Sequence, residues 1–161
     1  MADAAIRTGL EQRLTQAALV HVDARVFALH LTGRGPTGPA DLVLAGVANG
    51  RIRAQTSSVT LYQVLVEVYR QGKPALARDV ARIMRLYPRL GMVSASPEIA
   101  MQAAEVRARL GGRAERAFQI ATALVSGAEI YLTSGSGLRR IAGMQILNVE
   151  DYSSGESGAS H

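Results

Sequence analysis

Residues 129–143, EIYLTSGSGLRRIAG, form an apolar run that breaks into a turn of hydroxyl-bearing and glycine residues. Ser134 and Ser136 would need a histidine base to act as nucleophiles, and no spacing in the chain indicates a serine, histidine and aspartate set. The glycines are similar to those of a phosphate-binding loop, but the Gly-Lys-Ser/Thr ending of such a loop is missing. Since no ionisable side chain precedes Arg139 in this turn, any charge at the site must come from other segments.

Asp23 is the one carboxylate that the sequence places beside this turn. It closes the apolar stretch ALVHVDA, residues 18–24, which predicts a buried strand. Parallel α/β sheets bind ligands outside the carboxyl ends of their strands, where Asp23 and the turn at 133–137 would meet. The predicted site therefore combines a single acid with hydroxyls and glycines.

Helical and strand-like patterns alternate along the chain, which predicts a mostly parallel sheet with helices on both faces. The predicted strands cover 18–24, 51–57, 90–95, 129–134 and 144–150. Predicted helices cover 25–31, 41–49, the segment capped by Ser58, 74–87, the segment opened by Ser96 and Pro97, and 114–126. An earlier helix carries Ile6, Leu10 and Leu14 on one stripe, which we expect to pack on the domain itself or on a second subunit.

The amino-acid composition excludes some kinds of site and favours one kind of partner. The 161 residues include no cysteine, which excludes disulfides and thiolate zinc sites. A net charge of +5, with Lys73 as the only lysine, favours a polyanionic partner such as RNA. No apolar run reaches the ~18 residues that a membrane span needs, so we expect a cytoplasmic protein without a membrane partner.

Four segments carry a family resemblance through their order along the chain. They are VHVDARVFALHL, SSVTLYQVLVEVYRQG, SPEIAMQAAEVRARLG and AERAFQIATALVSGAEIYLTSGSGLRRIAGMQILNVEDY. From about Val20 to Tyr152 the chain resembles the PIN-domain nucleases, especially the VapC-type toxins, most specifically in QIATAL followed by LTS and LRRI. The resemblance implies a three-layer α/β/α sandwich around a mostly parallel sheet, and RNA cleavage with Mg²⁺ or Mn²⁺ held by carboxylates. We accordingly expect a helical extension at 1–17, a PIN-like domain at 18–152 and a disordered tail at 153–161.

The acidic positions implied by the resemblance are mostly lost. The family's first aspartate matches Asp23. The two positions that follow hold Ala24 and Arg25, where the family favours small hydroxyls or amides. The other three acidic positions fall on a neutral amide, a cation and a residue without a side chain: Gln63, Arg116 and Gly135. One carboxylate beside a guanidinium does not hold a hard cation. We therefore expect no catalytic residue and no bound metal, with Asp23 as the ligand if any ion binds.

Two other acids could compensate for the lost positions. Glu67 lies one helical turn after Gln63, and Glu115 adjoins Arg116 but points about 100° around the helix. The pattern favours surface roles for both acids. Arg116 is instead predicted to pair with Asp23 in place of the metal, or to swing outward into a phosphate-binding patch. The candidate binding residues are Arg25, Arg116, Thr133, Ser134, Arg139 and Arg140.

Three functions remain open. The first is a non-catalytic PIN-like domain that binds RNA or a protein partner, such as an antitoxin-like helix. The second is a toxin-like ribonuclease that uses Mg²⁺ or Mn²⁺ with relocated acids, and the third is a structural pseudo-subunit. The resemblance to VapC-type toxins also implies a homodimer.

Overall fold

The computed structural model of the chain describes residues 2–32, 38–138 and 140–153. Its centre is a five-stranded sheet in the order β3-β2-β1-β4-β5, in which every pair of neighbouring strands is parallel. The strands are β1 (Val20–Val22), β2 (Ala54–Ser57), β3 (Leu90–Val93), β4 (Ile130–Thr133) and β5 (Gln145–Asn148). The predicted parallel sheet is confirmed, and β1 is its middle strand.

Seven helices connect and flank these strands in the described part of the chain. They are α1 (Ala2–Gln16), α2 (Ala24–Thr32), α3 (Pro39–Ala48), α4 (Ser58–Arg70), α5 (Pro74–Arg85), α6 (Pro97–Leu110) and α7 (Ala114–Val125). Ser96 caps α6 as predicted, since its hydroxyl accepts a hydrogen bond from the amide of Ile99 at 3.2 Å. The predicted cap of α4 is wrong by one residue: Ser57 accepts from the amide of Val59, and Ser58 is already helical.

The last strand is shorter than predicted. β5 ends at Asn148, whose side-chain oxygen accepts a hydrogen bond from the amide of Glu150 at 3.0 Å. This contact caps a 3-10 turn, Val149–Tyr152, so the chain leaves the sheet two residues earlier than the apolar pattern indicates.

Alternating side chains in the central strands divide the core into two layers. Val20 and Val22 of β1 and Leu132 of β4 face a large apolar cluster that includes residues of α1, α2, α3 and α5. Tyr131 points to the opposite face and packs with apolar residues of α6 and α7. The sheet thus lies between two helical layers, which confirms the predicted α/β/α sandwich.

The N-terminal helix packs on its own domain. Leu10 and Leu14 are 2% and 0% exposed and belong to the large apolar cluster, while the side chain of Ile6 lies outside the described residues. Arg13 Nη1 donates a hydrogen bond to the hydroxyl of Tyr152 at 3.0 Å. The last turn of α1 therefore contacts the end of the described chain, and residues 154–161 of the predicted tail lie outside the described residues.

No helix within the described ranges combines the length and the apolar character needed to cross a bilayer.

Candidate functional site

Asp23 lies at the carboxyl end of the middle strand, next to the turn that follows β4. Val22 is in register with Leu132, and the amide of Asp23 donates to the carbonyl of Leu132 at 2.9 Å. This pairing brings the Asp23 carboxylate to Thr133, whose hydroxyl donates to Oδ2 at 2.7 Å. Both side chains are buried. Strand register alone therefore assembles the acid and the hydroxyl that the sequence places at the two strand ends.

The pKa of Tyr131 depends on the charges near this acid. Burial raises the pKa of Tyr131 well above its ordinary value of 10.0, and the neighbouring Asp23 carboxylate raises that pKa further. Arg116 and Arg25 act on the same pKa in the opposite direction. The charges of one anion and two cations therefore act on the Tyr131 hydroxyl.

Three side-chain donors hold the turn through its own carbonyl oxygens. Arg25 Nη1 donates to the carbonyl of Ser134 at 3.1 Å, and Asn148 Nδ2 donates to that of Gly135 at 3.3 Å. Arg116 Nη1 donates to the carbonyl of Gly137 at 3.3 Å. The turn is thus anchored by neighbouring side chains without any carboxylate of its own.

Gly135 has a backbone that disfavours the aspartate that the family resemblance implies at this position. Its φ is +84°, a region that residues with a side chain rarely adopt. A Cβ atom at this position would lie 2.9 Å from Arg25 Nη1. The guanidinium of Arg25 therefore occupies the space into which a side chain at position 135 would extend.

The predicted ion pair between Arg116 and Asp23 is wrong. The two described side chains do not come within 4 Å as an ion pair, and Arg116 bonds to the Gly137 carbonyl instead. The reason is geometric: Thr133 already satisfies one oxygen of Asp23, and Arg116 reaches the far end of the turn from α7. The cation beside position 135 is Arg25, which comes from α2.

Behind the turn lies a group of neutral polar side chains that we call the inner amide network: the buried His21, Thr60 and Gln119 and the half-buried Gln63. Gln119 connects them, with its oxygen 2.9 Å from His21 Nε2 and its nitrogen 2.6 Å from Thr60 Oγ1 and 3.0 Å from Gln63 Oε1. The sequence analysis missed Gln119, because QIATAL has the pattern of an apolar helix face. Gln63 thus binds a second amide at the position where the family resemblance implies a glutamate.

His21 is held neutral in this network. Its ring is fully buried and stacks on Tyr131 at a centroid distance of 5.4 Å. Burial lowers the pKa of His21 below its ordinary value of 6.5, while the hydrogen bond to Gln119 and the charge of Asp23 partly oppose this shift. The network therefore carries no charge near neutral pH.

Two predicted substitute acids lie apart from the turn. Glu67 is exposed and accepts a hydrogen bond from Gln71 at 3.4 Å, and Glu115 lies 3.4 Å from Arg113 in an ion pair. The hydrogen bond to the Glu115 backbone amide has the largest effect and lowers the pKa of that carboxyl. Desolvation opposes this shift, and the charge of Arg113 lowers the pKa further. Neither acid contacts Asp23 or the turn.

The acid that does contact the turn is Glu150, which the sequence analysis missed. Ser134 Oγ donates to Glu150 Oε1 at 2.6 Å. Arg140 is exposed and lines an open depression beside the turn, and Arg139 lies outside the described residues. We call Arg25, Arg116 and Glu150 the turn rim, since all three hold or border the turn from its exposed side.

These residues do not fit a magnesium or manganese site. Such an ion takes oxygen ligands, chiefly carboxylates and retained waters. The four positions that the family resemblance implies hold a carboxylate, an amide, a guanidinium and a glycine without a side chain: Asp23, Gln63, Arg116 and Gly135. Throughout the described ranges, no three histidine, aspartate or glutamate side chains form a group that could hold a metal ion.

An apolar groove opens beside the site, between α2, α4 and α5. It has a volume of about 390 Å³ and is walled by Ala28, Leu31, Val64, Val68, Leu76 and Val80, with Arg25, Gln63 and Glu67 as its main polar groups. Leu31 and Leu76 are 50% and 44% exposed. The groove thus joins apolar surface to the site that Arg25 borders.

The fold and site define a class: a three-layer α/β/α domain with a polar site at the carboxyl edge of a parallel sheet. The PIN domain family matches residues 20–144, and the chain belongs to this family. The resemblance stated from the sequence is therefore confirmed. No curated protein matches the chain.

Solved structures with the same fold include VapC toxins and their complexes. A VapBC2 complex from Rickettsia felis, bound to a promoter DNA fragment, has a TM-score of 0.65 at 15% identity over 81% of this chain and 98% of that chain. A toxin-antitoxin complex from Klebsiella pneumoniae has a TM-score of 0.56 at 16% identity, covering 81% and 97%. A sarcin-ricin loop cleaving VapC toxin from Mycobacterium tuberculosis has a TM-score of 0.55 at 18% identity, covering 70% and 86%. At these identities the similarity establishes the fold.

Proposed function

We propose that this chain is a catalytically silent PIN domain that binds a protein partner at the carboxyl end of its sheet. The observation that carries the proposal is the position of Arg25, whose Nη1 lies 2.9 Å from where a Cβ at Gly135 would stand. A cation of the protein thus lies beside the position where the family resemblance implies a metal-binding aspartate. Metal-assisted phosphodiester cleavage needs an ion to activate water and stabilise the leaving oxygen, and this arrangement offers that ion one carboxylate.

The partner half of the proposal is supported by the apolar groove. Leu31 and Leu76 expose apolar surface next to a site where Arg25 and Gln63 supply polar contacts. Apolar grooves with a few polar groups at one end are the usual form of a binding site. Structural neighbours of this chain were solved in complexes, one of them described as a toxin-antitoxin complex. A protein partner is therefore the occupant that we expect.

A metal-binding and cleavage assay tests catalytic silence. The parent chain should show no Mn²⁺ binding by calorimetry and no Mn²⁺-dependent cleavage of single-stranded RNA. Restoring acids with Gln63→Glu, Arg116→Asp and Gly135→Asp should still fail, because Arg25 opposes the ion and pairs with the new aspartate. Adding Arg25→Ser to those three changes should raise Mn²⁺ affinity above that of the triple variant.

The second candidate is a metal-dependent ribonuclease, and the position of Glu150 favours it. Thr133 bonds to Asp23 and the adjacent Ser134 bonds to Glu150, so two carboxylates flank consecutive hydroxyls. Mn²⁺ binding or RNA cleavage by the parent chain that disappears in both Asp23→Ala and Glu150→Ala would establish this candidate. The same result would refute catalytic silence.

A further inference from the structure

The donors and acceptors of the inner amide network can be assigned one after another, starting from a backbone carbonyl. Thr56 Oγ1 lies 2.7 Å from the carbonyl oxygen of Val22, which can only accept, so the single hydroxyl proton of Thr56 is given to it. Thr60 Oγ1 lies 2.9 Å from Thr56 Oγ1, and this contact must then use the proton of Thr60. The Thr60 oxygen is left as an acceptor towards Gln119.

This assignment determines the orientation of the side-chain amides of Gln119 and Gln63. Since Thr60 has no proton left, the Gln119 group at 2.6 Å from it must be the NH₂, and the second proton of that NH₂ reaches Gln63 Oε1 at 3.0 Å. The Gln119 oxygen then accepts from His21 Nε2. Gln63 thus turns its oxygen inward, and its own NH₂ has no acceptor among the described residues. This NH₂ remains for whatever occupies the groove that Gln63 lines.

Arg25 adds further donors at the same end of the groove. One of its five N–H groups bonds to the Ser134 carbonyl, and the residue is otherwise exposed. The acids nearby are engaged or lie further off: Asp23 with Thr133, Glu150 with Ser134, and Glu67 one turn along α4 with Gln71. The family resemblance implies carboxylate acceptors at this end of the groove, whereas this chain presents hydrogen-bond donors.

The groove walls determine the backbone conformation of an occupant. All three walls are helices, whose interior backbone groups are already bonded, so no free strand edge is available for pairing. A peptide backbone buried against Leu31, Val68 and Leu76 must satisfy its own hydrogen bonds, and an α-helix does so. Because these walls are apolar, an RNA strand would bury its charged backbone against them without compensation.

We infer that the groove takes an amphipathic helix of a protein partner that presents an aspartate or glutamate carboxylate to Arg25 and the Gln63 amide. This inference rests on the proposed protein-binding function. Apolar side chains of the helix cover Leu31, Val68 and Leu76, while the carboxylate accepts hydrogen bonds from the guanidinium and the amide. The specificity of the site is for an acidic residue, opposite in charge to a metal ion.

A displayed library of helical peptides, about 15 residues long, tests the inference on the full chain. Binders that depend on the groove are those lost in Leu76→Arg, a partly exposed position where the charge blocks the apolar wall. Among these binders we expect one position to be enriched in aspartate and glutamate. Selection against Arg25→Ala should lose that enrichment, and selection against Arg78→Ala, an exposed arginine outside the groove, should retain it.

Matched peptides then measure the contribution of the carboxylate. Replacing the enriched acid by glutamine should weaken binding about tenfold, and replacing it by lysine should weaken binding further. In Arg25→Glu the order should reverse, so that the lysine peptide binds more tightly than the acidic one. Circular dichroism of each variant confirms that the fold is retained.

The outcomes separate the inference from the proposed function. Groove-dependent binders without an acidic preference would overturn the inference and leave protein binding in place. An absence of Leu76-dependent binders would refute both. Binding of a single-stranded RNA oligonucleotide that is lost in Arg25→Ala, with no peptide selected, would assign the donors to phosphate and also overturn the inference.

Discussion

The inner amide network and the turn rim lie next to each other but differ in burial, charge and hydrogen bonding. In the network, His21 and Gln119 are fully buried, neutral and bonded to protein partners. In the rim, Arg25 and Glu150 are exposed and charged, and each is bonded to one group of the turn. Buried polar groups cost free energy when a partner is lost, whereas exposed ones exchange their partners with water. The buried members of the network should therefore determine stability, and the rim together with the half-buried Gln63 should determine what binds.

Loss of the central amide is the most severe test of this comparison. Gln119→Ala leaves polar atoms of the buried His21 and Thr60 without their partner and also removes the hydrogen bond to the half-buried Gln63, so we expect a loss of about 3 kcal/mol or more in the free energy of unfolding. Urea denaturation measures this quantity. The matched control is Gln12→Ala on the exposed side of α1, which should stay within about 0.5 kcal/mol of the parent. Equal stability of the two variants would mean that the network is dispensable.

The pH dependence of stability isolates His21. Its pKa is lowered in the folded chain, so below its ordinary value of 6.5 the unfolded chain binds a proton that the folded chain does not. Stability from this group is complete above 6.5 and falls as the pH drops towards the folded pKa, by at most about 1.4 kcal/mol per pH unit. Urea denaturation at about pH 7.5 and about pH 5.5 measures the slope.

A histidine variant and a control without a titratable group make the assignment specific. In His21→Asn the slope between the two pH values should flatten, because the titrating ring is gone. Gln12→Ala removes no titratable group and should keep the slope. A slope that persists in His21→Asn would assign the proton uptake elsewhere.

The smallest effect on stability is expected in the turn rim. Arg116 makes one hydrogen bond, to the carbonyl of Gly137, and no ion pair with any described residue. Arg116→Ala should therefore change the free energy of unfolding by less than about 0.5 kcal/mol. A loss of several kcal/mol in thermal or urea denaturation would indicate a buried charge pair and would contradict the observed geometry.

The sequence predicts the architecture well because strand burial and chain order have short-range signals. The stretch from Val20 to Val22 is apolar and ends at an acid, and alternating helices leave a parallel sheet as the natural topology. The register of β1 and β4 then places Asp23 beside Thr133. The positions of both residues at the ends of the predicted strands already indicate this proximity. Errors fall at boundaries, since all five strands are shorter than predicted. At Ser57 and at Asn148 a side chain caps a turn one or two residues from the expected position.

The contacts within the site were less predictable. The assignment of the four acidic positions rests on the family resemblance and stays a prediction. The choice between Arg25 and Arg116 as the cation beside Gly135 depends on side-chain reach and on the backbone of the turn. Gln119 bonds to a histidine 98 residues away, and no local pattern marks that contact. Side-chain hydrogen bonds between distant segments are set by packing, which a single sequence does not encode in its periodicity.

The contact between α1 and the 3-10 turn at Val149–Tyr152 extends the packed core beyond the family match. The match covers residues 20–144, yet Leu10, Leu14 and Val149 lie outside it and are at most 2% exposed. A fragment cut at the family limits would lose these apolar groups from the large cluster and leave its surface open to water. The α1 helix and the final 3-10 turn, joined by Arg13 and Tyr152, therefore act as one closure over the sheet, so disorder at either end would loosen the other.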